Sequence, residues 1–233
     1  MKKLFLSLLI VLFLSTNALA AKILIDIGHT EDKPGVISAR GNPEILFNLI
    51  TGFNLAQKLK NQGHGVYVLL NKPTNERPKI IKLIKPDLVI SIHHDSVQEK
   101  YLSKWTFEGK EYFYSDKFSG YSIFVSKKNG DFKNSLRFAN LVGENLSKNG
   151  MYPTYHHTEP IPGENRELLN RDLGVYRYDN LIVLQTNFPS ILLECGIIVN
   201  RSDELALRTD YIVDAITNAV VKAVKVYFNN HSL

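Results

Sequence analysis

The chain has 233 residues, 44% of them hydrophobic, with 28 Lys and Arg against 23 Asp and Glu and a formal net charge of +5. That length and apolar content support a full core in one domain and exclude a disordered, collagen-like or coiled-coil chain. The basic excess is mild and no Arg/Lys stripe is interleaved with aromatics, which excludes nucleic-acid binding and, outside the cytoplasm, favours anionic envelope polymers.

Met1-Lys2-Lys3 is a basic start, Leu4 to Leu14 is almost wholly apolar, and Ala18 and Ala20 offer small residues at a cleavage position. Residues 1–20 therefore read as a signal peptide cut after Ala20. The apolar run is too short to span a bilayer comfortably. No later stretch is a transmembrane candidate, so no membrane span is expected after signal removal. The protein is expected to be exported, to the periplasm first and to the extracellular space as the alternative. Residues 21–233 read as a single domain. Cys195 is the only cysteine, so internal disulfides are excluded. At the end of an Ile-Leu-Leu run it reads as a packed, buried thiol.

Lys22 to Ile27 is an apolar run ending in Gly28-His29, and a polar loop over Thr30 to Pro43 follows. From Glu44, the residues Ile45, Leu46, Leu49, Phe53, Ala56 and Leu59 recur at helical spacing until Gly63 stops the helix. Gly65 to Leu70 predicts a strand, Ile80, Ile81 and Ile84 a short helix, and Asp87 to Ile90 a buried strand that runs into Ser91-Ile92-His93-His94-Asp95. This β-α-β-α-β order implies a parallel sheet with right-handed crossovers.

Residues 97–119 interrupt that rhythm as an insertion rich in Tyr, Phe, Lys and Glu, with the only tryptophan, Trp105. It reads either as a surface hairpin or as a substrate-contacting flap. Tyr121 to Ser126 predicts a strand, and Leu136 to Leu146 a helix ended by Gly150. Tyr152 to Asp179 predicts an irregular polar stretch, and Leu181 to Leu184 and Ile191 to Leu193 the last strands. Asp203 is expected to cap the closing helix, whose core face includes Ile212, Ala215, Ile216, Ala219, Val220, Ala223, Val224 and Tyr227. The expected fold is α/β: a mostly parallel twisted sheet of about six strands with helices on both faces.

Three apolar strands thus end in His29, His93 or His94, and Glu194. In open α/β sheets ligands sit at the carboxyl ends of strands. His29, Glu44 and His93 form a nitrogen and oxygen donor set suited to Zn²⁺, leaving a fourth position for water. Neighbouring strand residues point to opposite faces, so His93 and His94 do not both bind one ion, and the residues alone leave the choice open. Glu194 is the candidate general base. Asp26 is a candidate to orient a ligand histidine from behind. His156 and His157 fall in the irregular polar stretch and read as an exposed pair, although that loop could line the cleft. His64 and His231 read as surface residues.

Ile25-Asp26-Ile27-Gly28-His29, Glu44, Ser91-Ile92-His93 and Leu193-Glu194-Cys195-Gly196, followed by Asn200 and Glu204, resemble the zinc-dependent N-acetylmuramoyl-L-alanine amidases of the amidase-3 type. The resemblance runs in order from about Lys22 to Tyr227 and makes residues 21–233 the catalytic domain. It implies one zinc per chain on His29, Glu44 and His93, choosing His93 over His94, with Glu194 as the catalytic carboxylate. It also implies peptidoglycan as substrate and hydrolysis of the amide between the lactyl group of N-acetylmuramic acid and L-alanine. Arg77 falls where the family usually has an arginine, and a surface or capping role is equally open to it.

Three features depart from the family pattern: the loop Thr30 to Gly35, the insertion over 97–119, and His94 and Asp95. The last two stand in place of a small residue and Asn, so the groups around the ligands, among which Asp26, His94 and Asp95 are candidates, differ here. A protein activator is left open. Two rival readings are a zinc exopeptidase acting on free peptides and a catalytically silent protein that binds or regulates at peptidoglycan.

Overall fold

The computed structural model describes residues 20–229; the signal peptide, all but Ala20, and His231 lie outside them. In chain order the elements are β1 (Lys22–Ile27), α1 (Glu44–Asn61), β2 (Gly65–Leu69), α2 (Arg77–Ile84), β3 (Leu88–Asp95), β4 (Ser103–Phe107), β5 (Lys110–Tyr114) and β6 (Ser122–Val125). There follow α3 (Phe132–Lys148), β7 (Glu167–Asn170), β8 (Val175–Arg177), β9 (Ser190–Ile197), α4 (Arg201–Ala206) and α5 (Asp210–Asn229). Seven strands form the main sheet in the order β2-β1-β3-β9-β6-β8-β7, with β4 and β5 as a separate hairpin. β2, β1, β3 and β9 are mutually parallel, β6 runs antiparallel to β9, and β7 antiparallel to β8.

Strand alternation divides the sheet chemically. Ile23, Ile25 and Ile27, with Leu88, Ile90 and Ile92 and with Ile191 and Leu193, pack under α1, α3 and α5. The intervening Leu24, Val89, Leu192 and Phe124 face Ile81 of α2 and the turn Ile182–Leu184. Three long helices therefore cover one face, while one short helix, a turn and the segment carrying His157 cover the other. Asp26, Ser91, His93 and Glu194 have the parity of this second, more lightly covered face. His94 has the opposite parity, with its ring 5.5 Å from Phe47 of α1.

Four expectations are corrected. Leu181 to Leu184 is a single helical turn, not a strand: four apolar residues in a row pack Val183 and Leu184 into the second core cluster without needing a ladder. Two short strands in the stretch expected to be irregular, β7 and β8, raise the main sheet to seven. Asp203 does not cap the closing helix: it lies inside α4, which Asn200 caps by accepting from the amides of Ser202 and Asp203, while α5 starts at Asp210, where Thr209 Oγ1 accepts from the Ile212 amide at 3.3 Å. Asp203 instead accepts from Ser119 and from the Gly120 amide, pinning the end of the insertion. His64 is buried, and its Nδ1 accepts from the Ala21 amide at 3.3 Å. No helix among the described residues is long and apolar enough to cross a membrane.

The insertion is a short helical turn (Glu99–Tyr101) followed by the β4–β5 hairpin. It docks on the loop between β1 and α1: Trp105 donates to the Ala39 carbonyl at 2.7 Å, and the Arg40 guanidinium lies 5.3 Å from the Trp105 ring centre.

Gly143 tests how tightly α3 is seated. A Cβ there would lie 2.8 Å from both the Cβ and the carbonyl oxygen of Leu173. Alanine normally favours a helix interior over glycine by about 1 kcal/mol. Overpacking against a backbone that cannot swing aside costs roughly 1–3 kcal/mol. Gly143→Ala is therefore expected to lower the urea midpoint; a rise would show that Leu173 gives way.

Candidate active site

The site begins with the buried carboxylate of Asp26 near the end of β1. The Arg77 guanidinium, at the start of α2, pairs with it and also donates to the carbonyls of Ile27 (2.9 Å), His29 (2.7 Å) and Lys72 (2.9 Å). The second Asp26 oxygen accepts from Ser91 Oγ of β3 at 2.5 Å. Arg77 is 3% exposed, so the surface role is excluded; its fork joins β1, α2 and the backbone beyond β1. Asp26 thus orients His29 through Arg77 and not by direct contact. His29 sits at φ 69°, a left-handed conformation that costs a side-chain-bearing residue energy and needs such external support.

Glu44 opens α1. Its helix has no side-chain cap; instead the first two amides donate to carbonyls of the preceding loop, Glu44 N to Val36 O (2.8 Å) and Ile45 N to Pro34 O (3.0 Å). That loop is held in turn by Glu204, which is fully buried and accepts from Ser38 Oγ (2.5 Å) and Arg40 Nη1 (2.6 Å).

Glu44 Oε2 stands 2.7 Å from His29 Nε2 and accepts from the Val36 amide; Oε1 stands 3.0 Å from His93 Nδ1 and accepts from the His94 amide and Asn48 Nδ2. The His29 and His93 rings meet edge to face with centres 5.0 Å apart. Burial works against the charged form of Glu44, but hydrogen bonds and charge from His29 and His93 outweigh it, holding the carboxyl well below the usual carboxylate range. Asn48, one turn along α1, also takes His94 Nδ1 at 2.8 Å on its Oδ1. Burial drives the His94 pKa down to about 3, keeping the ring neutral. Sequence reading missed Asn48, although its i+4 spacing from Glu44 was the available signal.

Glu194 lies directly across from His93 in the β3–β9 register. Its Oε2 is buried with no hydrogen-bond partner. Burial first, then the negative charges of Asp95 and Glu44, push its carboxyl well above the usual value. A buried carboxylate beside two others asks for a compensating cation. The trio His29, Glu44 and His93 offers one: its donor atoms lie within 4.8 Å of one another and comprise two imidazoles and a carboxylate. The space around it is kept by glycines, since a Cβ on Gly28 would strike the His93 ring and one on Gly35 would strike Glu44 Oε2. The donor set and this cradle fit a zinc ion.

Asp95 and the pair His156–His157 form a separate group. His157 Nε2 lies 2.7 Å and His156 Nε2 3.4 Å from Asp95 Oδ2. The expected exposed pair is thus not exposed: His156 is fully buried and His157 half-buried. His157 is wedged edge-on against Phe124 with ring centres 4.9 Å apart. The 60 residues between Asp95 and His156 hide this meeting from any local reading.

The family described as N-acetylmuramoyl-L-alanine amidase matches residues 23–226. A Buchnera aphidicola (subsp. Schizaphis graminum) protein, provisionally designated an N-acetylmuramoyl-L-alanine amidase, is 26% identical, over 90% of this chain and 97% of its own length. In fold the chain is similar to the amidase Ami1 of Mycobacterium smegmatis, with TM-score 0.70, 17% identity and coverage of 92% of this chain and 100% of that one. It is similar also to the CwlD amidase of Clostridioides difficile, solved in complex with the GerS lipoprotein, with TM-score 0.63, 21% identity and coverage of 90% and 99%.

The Asp26–Arg77 pair carries a direct test. Arg77→Ala leaves Asp26 buried without its charge partner, a change that costs roughly 3–5 kcal/mol. The urea midpoint is expected to fall accordingly, with Arg77→Lys recovering only part because a lysine lacks the fork. An unchanged midpoint in Arg77→Ala would remove the pair from its organising role.

Proposed function

We infer, from the premise that the chain belongs to the N-acetylmuramoyl-L-alanine amidase family, that it hydrolyses the amide between the lactyl group of N-acetylmuramic acid and L-alanine in peptidoglycan. In this reading His29, Glu44 and His93 hold one zinc ion and Glu194 is the catalytic base. The observation that carries it is the convergence of that trio, from the end of β1, the start of α1 and the end of β3, opposite the unpartnered Glu194 Oε2.

Zinc held there supplies a Lewis acid for the scissile carbonyl and lowers the pKa of water. Glu194 Oε2 takes the proton of the attacking water and returns it to the leaving L-alanine nitrogen. Glu44 keeps its charge against burial and aligns both imidazoles. Asn48 ties Glu44 to the neutral His94 on the other face of β3, fixing the strand end that presents His93. Arg77 and Asp26 fix the His29 backbone, which limits the rearrangement the imidazole needs to bind.

Export to the periplasm is part of the proposal and is supported by the leader-like composition of residues 1–20. A protein partner is supported by the complex in which the Clostridioides difficile neighbour was solved.

Glu194→Gln is expected to keep the zinc of the parent and to lose turnover by roughly 10²–10⁴. The measurement is mass spectrometry of soluble stem peptides, beginning at L-alanine, released from purified peptidoglycan. Release near the parent rate would remove Glu194 from the reaction. Gly35→Ala, at φ 83° and aimed at Glu44, is expected to lose zinc and activity together. Parent-level zinc in that variant would move the metal elsewhere.

A further inference from the structure

Asp95, His156 and His157 are not used by the chemistry above, yet they repeat its donor set: two imidazole nitrogens and one carboxylate oxygen, all within 4.8 Å of one another. We propose that these three residues form a second site for a zinc-class divalent cation, on the far side of Glu194 from the His29, Glu44 and His93 trio.

The separations suit it. Tetrahedral coordination at about 2.0–2.1 Å places ligand atoms about 3.3 Å apart. The His156 contact to Asp95 Oδ2, at 3.4 Å, is already there, and the His157 contact, at 2.7 Å, needs to open by only a few tenths of an ångström. The orientation is built in from behind. His156 Nδ1 is engaged by Thr154 Oγ1 at 3.0 Å, which turns Nε2 toward Asp95. Such a bond to the other ring nitrogen is the usual way a ligand imidazole is fixed. Asp95 Oδ1 accepts from the Ser96 amide at 2.8 Å, leaving Oδ2 for the imidazoles.

A simple His–Asp hydrogen bond explains His157 but not His156. That side chain is 1% exposed, and its Nε2 makes no close hydrogen bond: it stands 3.4 Å from the Asp95 Oδ2 that His157 already holds at 2.7 Å. A cation between them satisfies both atoms. Access is open as well: Asp95, His156 and His157 line a cleft of about 540 Å³, together with Gln98, Ile161 and Glu164. Three protein ligands leave a coordination position for water or for a substrate oxygen. Asp95 stands two residues beyond His93 on β3, beside the strand that carries Glu194. The two ions would thus flank the base, the second on the side of the 152–166 loop.

The proposal stands apart from the assignment of the first trio, and one experiment separates them. Zinc is measured by inductively coupled plasma mass spectrometry on the purified protein after equilibration with a small excess of zinc and desalting. The parent is expected to carry about two zinc per chain, and His157→Ala and His29→Ala about one each. The ion retained at the other site reports that each variant is folded. A parent with about one zinc, kept in His157→Ala and lost in His29→Ala, overturns the second site, as does a zinc content unchanged in both His156→Ala and His157→Ala. Zinc lost in His157→Ala but unaffected by His29→Ala retains the second site and overturns the first instead. Should His157→Ala fail to fold, His157→Gln replaces it. Cobalt(II) titration read from its visible absorption then expects two saturating steps in the parent and one in His157→Gln; a single step in the parent that persists in His157→Gln overturns the proposal.

Discussion

A buried ion pair that serves as a joint underlies the whole arrangement. Asp26 and Arg77 are nearly inaccessible to water, and such a pair seldom adds stability over a packed apolar one. What it adds here is position. The carboxylate ties β1 to β3 through Ser91, and the guanidinium ties α2 to three carbonyls around the end of β1. His29 can therefore stand in a left-handed conformation on a loop that would otherwise relax. A second buried carboxylate, Glu204, does the same for the far end of that loop through Ser38 and Arg40. Glu44 is then delivered by a helix whose first amides are satisfied by the loop itself. Each part of the ligand set is tied from behind: the His29 carbonyl by Arg77, and Glu44 by Asn48 and the Val36 and His94 amides.

The division of the sheet into two unequal faces explains where chemistry is tolerated. Under α1, α3 and α5 the residues of β1, β3 and β9 are apolar except for His94 at the end of β3. On the other face lie α2, the turn Ile182–Leu184 and the segment carrying His157, and there β1, β3 and β9 carry Asp26, Ser91, His93 and Glu194. Polar groups at these depths persist because nearly all have partners. Among the described side-chain atoms that are buried without a partner, two, Glu194 Oε2 and His156 Nε2, lie beside or within clusters able to hold a metal.

What could be read from the sequence follows the range of the forces involved. Strands β1, β3 and β9 were legible because each is a short apolar run, and their terminal His and Glu residues stood out for the same reason. The opposition of His93 and His94 followed from strand alternation alone. The run Leu181 to Leu184 misled because four apolar residues satisfy a buried turn as well as a strand. β7 and β8 escaped notice because strands of four and three residues, Glu167–Asn170 and Val175–Arg177, are too short to show a period of two. Asp203 reads as a cap for the closing helix but holds the end of the insertion, and His64 reads as a surface residue although its ring accepts from the Ala21 amide just before β1. The pairing of Asp95 with His156 and His157 depends on long-range closure of the chain, which no local pattern encodes.

β9 runs with β3 on one side and against β6 on the other, with Glu194 beside Ser122 at the start of β6. The two walls of the cleft therefore have opposite chain polarity. On the β1–β3 side the rim is made of segments leaving their strands, and these carry the trio. On the β6 side it is made of the segment entering β6, which includes the hairpin. Lengthening or shortening that entry segment leaves the register of β1, β3 and β9 untouched. Groove shape and hydrolytic machinery are thus separable inheritances: the chain can remodel what it grips without disturbing what it cuts.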